Sequence, residues 1–142
     1  MMDLCGKPVI TRTYNAVLSS NLFSSVIVVT QDNEIYEEIT SNNGNSILIE
    51  KDYNSGTDRI ADACVKLEAD IIVNIQGDEP FINQSSLEKL VNIFKNDSRN
   101  EINYASLMKL MNNEKDINNP NNVKVAVDNN DFAINFSRKP IS

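Results

Sequence analysis

Apolar residues along this chain fall into two alternating patterns, helical spacing and short unbroken β-branched runs. Val9, Ile10, Tyr14, Val17 and Leu18 recur at helical spacing across residues 8–19, and Pro8 suits a first helical turn. Residues 25–30 (SVIVVT) form a continuous β-branched run, the mark of a strand buried on both faces. Residues 33–42 read as a helix carrying Ile35 and Ile39 among Glu34, Glu37 and Glu38, stopped by Asn43-Gly44. A second short buried strand is predicted at 46–50 (SILIE). A helix follows over 57–69, with Thr57 as N-cap and Ile60, Ala61, Cys64, Val65 and Leu67 as its apolar stripe. Residues 71–75 (IIVNI) read as a third buried strand, 84–97 as a helix with Leu87, Leu90, Val91 and Phe94 on one face, and 104–108 as a strand.

The pattern then changes. Val123 to Val127 alternates, Asp128 to Asp131 is turn-like, and Phe132 to Phe136 follows, which together predict a β-hairpin. Alternating helices and strands followed by a hairpin imply an α/β fold, a mixed sheet that is mostly parallel with an antiparallel addition. No repeat or linker divides residues 1–142, so one domain is expected. Ligands of open α/β sheets bind at the carboxyl ends of the strands, which directs attention to the loops after Thr30, Glu50 and Ile75.

Composition narrows the chemistry. The net charge of −7 over 142 residues argues against a broad nucleic-acid surface but leaves room for one nucleotide. The absence of histidine removes Ser-His-Asp and Cys-His catalysis and the usual transition-metal sites, leaving carboxylates, Lys, Arg, backbone amides and a hard cation. Cys5 and Cys64 form no CxxC pair and are read as reduced thiols. No apolar run approaches the roughly 18 residues of a membrane span, and the N-terminus lacks the pattern of a signal peptide, so a cytoplasmic location is expected. The repeated Asn-Asn pairs are read as loop composition.

Three segments could carry chemistry. In Asn54-Ser55-Gly56-Thr57-Asp58-Arg59, Ser55 and Gly56 present backbone amides at a helix N-terminus, which favours anionic or acceptor groups, and Arg59 adds a planar donor fork. An ordinary capped turn accounts for the same residues. In Gln76-Gly77-Asp78-Glu79-Pro80, two adjacent carboxylates follow a strand. Mg²⁺ suits them, because it takes one or two carboxylates with phosphate oxygens and waters, and a solvated acidic turn is the alternative. The third comprises Lys124, after Asn119 to Val123, and Arg138, after Phe136-Ser137. Both could hold phosphate or carboxylate groups, or be plain exposed strand charges.

In their order and spacing, GKP, VIVVT, NSGTDR, VNIQGDEP, NPNNVKV and FSR resemble the 3-deoxy-manno-octulosonate (Kdo) cytidylyltransferases, or CMP-Kdo synthetases, from about Met2 to Arg138. The resemblance implies a Rossmann-like nucleotidyltransferase fold that transfers CMP from CTP to Kdo with Mg²⁺, releasing pyrophosphate, for lipopolysaccharide biosynthesis. It implies Asp78 as catalytic metal ligand, Ser55, Gly56, Arg59 and Gln76 at the nucleotide, and Glu79 and Arg138 at the sugar. Lys124 would shape the sugar-side wall. It implies a homodimer for the full-length form. The family opens with a phosphate loop of the type IPAR-x-x-S-x-RLPGKPL, which this chain does not show, and continues beyond FSR-x-x-IP. The resemblance therefore implies a domain incomplete at both ends and inactive by itself. Two alternatives stay open: a cytidylyltransferase for another nonulosonate or amino-Kdo sugar, and a non-catalytic nucleotide-binding module.

Overall fold

A computed structural model describes residues 1–65 and 67–141. Its elements are α1 (Val9–Ser19), β1 (Val28–Thr30), α2 (Asn33–Ser41), β2 (Ser46–Leu48), α3 (Gly56–Cys64), α4 (Gln84–Lys95), α5 (Glu114–Asn118), β3 (Lys124–Val127) and β4 (Ala133–Ser137). They form two compact units, Met1–Ala105 and Ser106–Ser142. No helix among the described residues is long and apolar enough to cross a membrane.

In the first unit, β1 and β2 pair in parallel, with Val28 opposite Ser46, Val29 opposite Ile47 and Thr30 opposite Leu48. The buried apolar residues are Val17 of α1, Ile39 of α2, and Leu87 and Val91 of α4. Leu87 and Val91 stand one turn apart, so one stripe of α4 enters the core. Polar links fix α1 against α2 and its following turn. Thr11 Oγ1 donates to Glu38 Oε1 at 2.6 Å, and the Asn45 amide donates to the Tyr14 hydroxyl at 3.2 Å. Asp32 caps α2, its side chain accepting from the Glu34 amide at 2.8 Å.

The stop of α2 falls where the sequence places it, with the roles of its two residues divided. Asn43 takes the left-handed conformation (φ 59°), while Gly44 answers a close approach. Its amide donates to Ile39 O at 2.8 Å. A Cβ there would lie 2.7 Å from Ile39 Cγ2 and 2.9 Å from Ile39 O. One obstacle is backbone, which yields little. We predict that Gly44→Ala destabilises the first unit by about 1–3 kcal/mol, the usual cost of overpacking. Urea unfolding with an unchanged midpoint would rule this out.

Several predicted strands differ from those observed, and the one expected at 46–50 is a strand only over Ser46–Leu48. The run at 25–30 is ladder-paired only from Val28, and residues 71–75 and 104–108 form no strand among the described residues. The mostly parallel sheet expected from the pattern is therefore one parallel pair in this unit. The physical reason lies in the free edge of β1. Residues 71–75 make no backbone hydrogen bond among the described residues, and a cavity of about 520 Å³ is lined by Val26, Val28, Ile71 and Val73 together with Ile60 and Val91. The apolar faces are present, but the strands are not in register contact, and Ile72 stays 52% exposed. Strand identity depends on a hydrogen-bonded neighbour, which residue type cannot supply.

The second unit, taken by itself, holds the predicted hairpin. β3 and β4 pair antiparallel, with Lys124 opposite Ser137 and Val125 opposite Phe136, and the register shifts between Ala126 and Val127. The turn is closed by Asp128, whose Oδ1 accepts from the amides of Asn130 and Phe132 at 2.8 and 2.9 Å, with Asp131 left-handed (φ 64°). No apolar residue of this unit is buried among the described residues, whereas Lys124, 8% exposed, is. The short helix α5 has no counterpart in the periodicity. Asn113 starts it by accepting from the Asp116 amide at 2.8 Å, an Asx cap that five residues cannot signal through hydrophobic spacing.

Candidate functional site

The loop from β2 into α3 is built around Ser55. Its backbone is extended (φ −148°, ψ 160°), its Oγ accepts from the Asp58 amide at 3.2 Å, and the same hydroxyl donates to Asp58 Oδ2 at 2.8 Å. This reciprocal cap starts α3 at Gly56, so the N-cap is Ser55 and not Thr57. The helix also ends at Cys64, earlier than residue 69. Val65 is exposed, Lys66 lies outside the described residues, and Leu67 faces the large cavity without continuing the helix. The Gly56 and Thr57 amides find no partner among the described residues. A Cβ on Gly56 would meet nothing within 4 Å, so the space above these amides is open. They are uncapped donors at the positive end of the α3 dipole. Arg59 follows in the first turn, half-buried, with its Nε buried and without a hydrogen-bond partner. An orphan charged donor beside open amides suits an acceptor-rich or anionic ligand.

The same loop contains contacts that periodicity and motif spacing do not signal. The Tyr53 hydroxyl donates to Asp62 Oδ2, and Lys51 Nζ lies 3.9 Å from that oxygen and 4.9 Å from the centre of the Tyr53 ring. The hydrogen bond to Asp62 holds the Tyr53 phenol above its ordinary pKa.

The second predicted segment is a turn in which the Glu79 amide donates to Gln76 O at 3.2 Å and the Ile82 amide to Glu79 O at 3.2 Å. Gln76, Asp78 and Glu79 are exposed, and neither carboxylate has a hydrogen-bond or ion-pair partner among the described residues. Gly77 is held from below. Thr13 Oγ1 donates to its carbonyl oxygen at 2.9 Å, and a Cβ at this position would lie 2.9 Å from Ile10 Cδ1. The two segments are linked, because Asn74 Nδ2 lies 3.5 Å from Thr57 Oγ1. The approach to the acidic turn thus lies against the start of α3.

Among the described residues no group of three or more acidic, Cys or His side chains converges on one point. An all-protein metal cage is therefore not what these residues form. Asp78, with Glu79 beside it, fits the other mode of Mg²⁺ binding, in which one or two carboxylates complement phosphate oxygens and waters. The first unit holds cavities of about 360 and 520 Å³, and neither of these is lined by Ser55, Gly56, Arg59, Gln76, Asp78 or Glu79. Five of these residues are exposed and Arg59 is half-buried, and the larger cavity is lined by Asn74 and Gly77 of the adjoining segment.

The remaining predicted residues belong to the second unit. Arg138 is exposed, and its Nη1 donates to Pro120 O at 2.9 Å. Lys124 is buried, and its ammonium donates to the carbonyl oxygens of Asn119, Asn122 and Arg138 at 2.9, 2.9 and 2.6 Å. An ammonium has three donors, and all three are engaged. Lys124 is thus not an exposed strand charge but an internal clamp.

Comparison with known proteins adds three findings. The family model for cytidylyltransferases matches residues 1–142. The chain is 52% identical over 141 residues to the 3-deoxy-manno-octulosonate cytidylyltransferase of Flavobacterium johnsoniae, covering 99% of this chain and 58% of that protein. It is 48% identical to the protein of that name from Christiangramia forsetii, covering 99% and 57%. Among solved structures, CMP:2-keto-3-deoxy-manno-octonic acid synthetase complexed with CTP superposes with a TM-score of 0.84 at 31% identity, over 99% of this chain and 57% of that one. The chain therefore spans well under two thirds of the length of these relatives.

Proposed function

This chain belongs to the cytidylyltransferase family, and from that premise we propose that it supplies the nucleotide and metal side of a 3-deoxy-manno-octulosonate cytidylyltransferase with a Rossmann-like nucleotidyltransferase sheet. The observation that carries the proposal is the 3.5 Å contact between the Asn74 and Thr57 side chains, which sets the segment leading into the acidic turn beside the first turn of α3. In the reaction, the anomeric hydroxyl of the sugar acid attacks the α-phosphorus of CTP. A P–O bond forms to the sugar, the bond between the α-phosphorus and the bridging oxygen breaks, and pyrophosphate leaves with that oxygen. The hydroxyl proton passes to solvent or a neighbouring carboxylate. With CTP and Kdo as substrates, a cytoplasmic enzyme of lipopolysaccharide biosynthesis is the matching role, and a homodimer is its proposed full-length form.

The chain's residues suit the parts this chemistry needs. The Gly56 and Thr57 amides and Arg59 hold acceptor groups of the nucleotide, with Gln76 at its edge. Ser55 contributes by fixing the helix start, since its hydroxyl is committed to Asp58. Asp78 would hold Mg²⁺, which when bound supplies charge neutralisation at the reacting phosphate. Glu79 and Arg138 are assigned to the sugar acid. The arrangement works by positioning and fixed charge, which is what phosphoryl-type transfer chiefly requires.

Arg59 provides the test. In a chimera where these 142 residues replace the matching segment of the Flavobacterium johnsoniae relative, Arg59→Ala is expected to raise the KM for CTP about tenfold or more, the scale for losing a charged hydrogen bond, with a smaller change for the sugar. Loss of sugar affinity at unchanged CTP affinity would show that this loop faces the wrong substrate.

A further inference from the structure

Asp78 projects from a turn that makes few contacts of its own, so something must define where its carboxylate stands. The adjacent residue, Gly77, is held by two side chains one turn apart on α1. Ile10 approaches so closely that a Cβ at position 77 would sit 2.9 Å from its Cδ1, and Gly77 does not adopt a positive φ. Backbone conformation therefore does not demand glycine here, and Ile10 Cδ1, the end of a flexible side chain, packs against the position without forbidding a Cβ. Thr13 is only 4% exposed, and its hydroxyl faces two carbonyl oxygens, Gly77 O at 2.9 Å and Val9 O of its own helix at 3.1 Å. A hydroxyl has one hydrogen, and the nearer acceptor is the one 64 residues away in sequence. The outcome is a peptide seated on α1 by a side-chain contact from Ile10 and a part-buried hydrogen bond from Thr13.

We propose that Ile10 and Thr13 are positioning residues, and that the α1 face they form sets the place of the Asp78 carboxylate for a divalent cation carried by a nucleoside triphosphate. The inference rests on the reading of Asp78 as a metal ligand. Groups bonded directly to a metal ligand govern metal affinity about ten- to a hundredfold, and Ile10 and Thr13, which act one residue away through the Gly77 peptide, are expected to have a smaller effect. A helix seat also suits the task better than the loop itself, because residues on regular elements hold geometry more tightly.

The test uses the 142-residue chain with Mn²⁺ and CTP as probes. Free Mn²⁺ is counted by electron paramagnetic resonance, and folding is followed by circular dichroism. Gly77→Ala is expected to weaken Mn²⁺ binding about two- to threefold, because the end of the Ile10 side chain turns aside into another rotamer. Adding Ile10→Val, which removes Cδ1, should restore most of the affinity. Thr13→Val keeps the shape of the side chain and loses the hydroxyl, and it should weaken binding about three- to tenfold, while Thr13→Ser should bind nearly as the unsubstituted chain does. A purely packing role would leave Thr13→Val at full affinity. If Gly77→Ala does not fold, the Thr13 pair decides. Unaltered Mn²⁺ binding in folded Gly77→Ala and Thr13→Val, with binding lost in Asp78→Asn, would overturn the seat and leave the metal reading standing. No Mn²⁺ binding by the unsubstituted chain in the presence of CTP, or binding indifferent to Asp78→Asn, would overturn both.

Discussion

Asp78→Asn is expected to lower sugar-dependent pyrophosphate release by about 100-fold or more in the chimera with the Flavobacterium johnsoniae relative, the scale of losing a main charge-stabilising element. The substitution keeps the shape of the side chain and removes its negative charge. Asp78 is exposed and has no hydrogen-bond or ion-pair partner among the described residues, so the fold has little to lose. The effect should therefore appear in turnover and in the Mg²⁺ concentration needed for half-maximal rate, with thermal stability held. Glu79 offers a built-in control. Its neighbouring carboxylate has the same exposure, and Glu79→Gln should leave the Mg²⁺ requirement closer to that of the unsubstituted protein while shifting the KM for the sugar. Near-normal turnover of Asp78→Asn at unchanged Mg²⁺ dependence would remove Asp78 from the metal, and an effect of equal size at Glu79 would mean that the two carboxylates act as one patch.

Much of the local structure around the candidate site could be anticipated because its parts are local. A Ser-Gly-Thr-Asp-Arg sequence ahead of a helical stripe announces a capped N-terminus, and the structure alters only which hydroxyl does the capping, Ser55 instead of Thr57. The hairpin was equally legible, since its turn chemistry is carried by Asp128 within a few residues. What could not be read is what depends on distant partners. Residues 71–75 have the composition of a buried strand, yet a strand exists only where a second backbone supplies hydrogen bonds, and along this edge a cavity stands instead. The seating of Gly77 on Ile10 and Thr13 links residues more than sixty positions apart, and nothing in the spacing of either segment points to the other. The Tyr53–Asp62 contact escaped for a related reason, because a charged residue on a helix back is ordinarily solvated.

Lys124 shows the same limit most clearly. In an alternating strand, a lysine between two valines reads as the solvent-facing position. Here it is the one buried residue of its unit among the described residues, and its ammonium gathers three carbonyl oxygens from the loop before β3 and from the residue after β4. Hydrogen bonds to a charged group contribute about 1.5–3 kcal/mol each, with strong non-additivity when they share a donor. The surrounding carbonyls can recover water once the ammonium is gone, which lowers the net loss. Lys124→Met retains the aliphatic stem and deletes all three donors, and it is expected to cost about 2–4 kcal/mol, confined to the second unit. That unit has no fully buried apolar residue among the described ones to compensate, while Val17, Ile39, Leu87 and Val91 keep the first unit folded. Limited proteolysis should therefore cut Lys124→Met within residues 106–142 first and leave the rest resistant. Lys124→Arg should fall between the two, because its planar fork keeps charge and donors but cannot point them at three carbonyls arranged around a single nitrogen. Uniform protease resistance in Lys124→Met would show that strand pairing alone holds the hairpin. An accompanying loss of Arg138 function would be expected in the chimera, because the carbonyl that Lys124 grips most closely belongs to Arg138 itself.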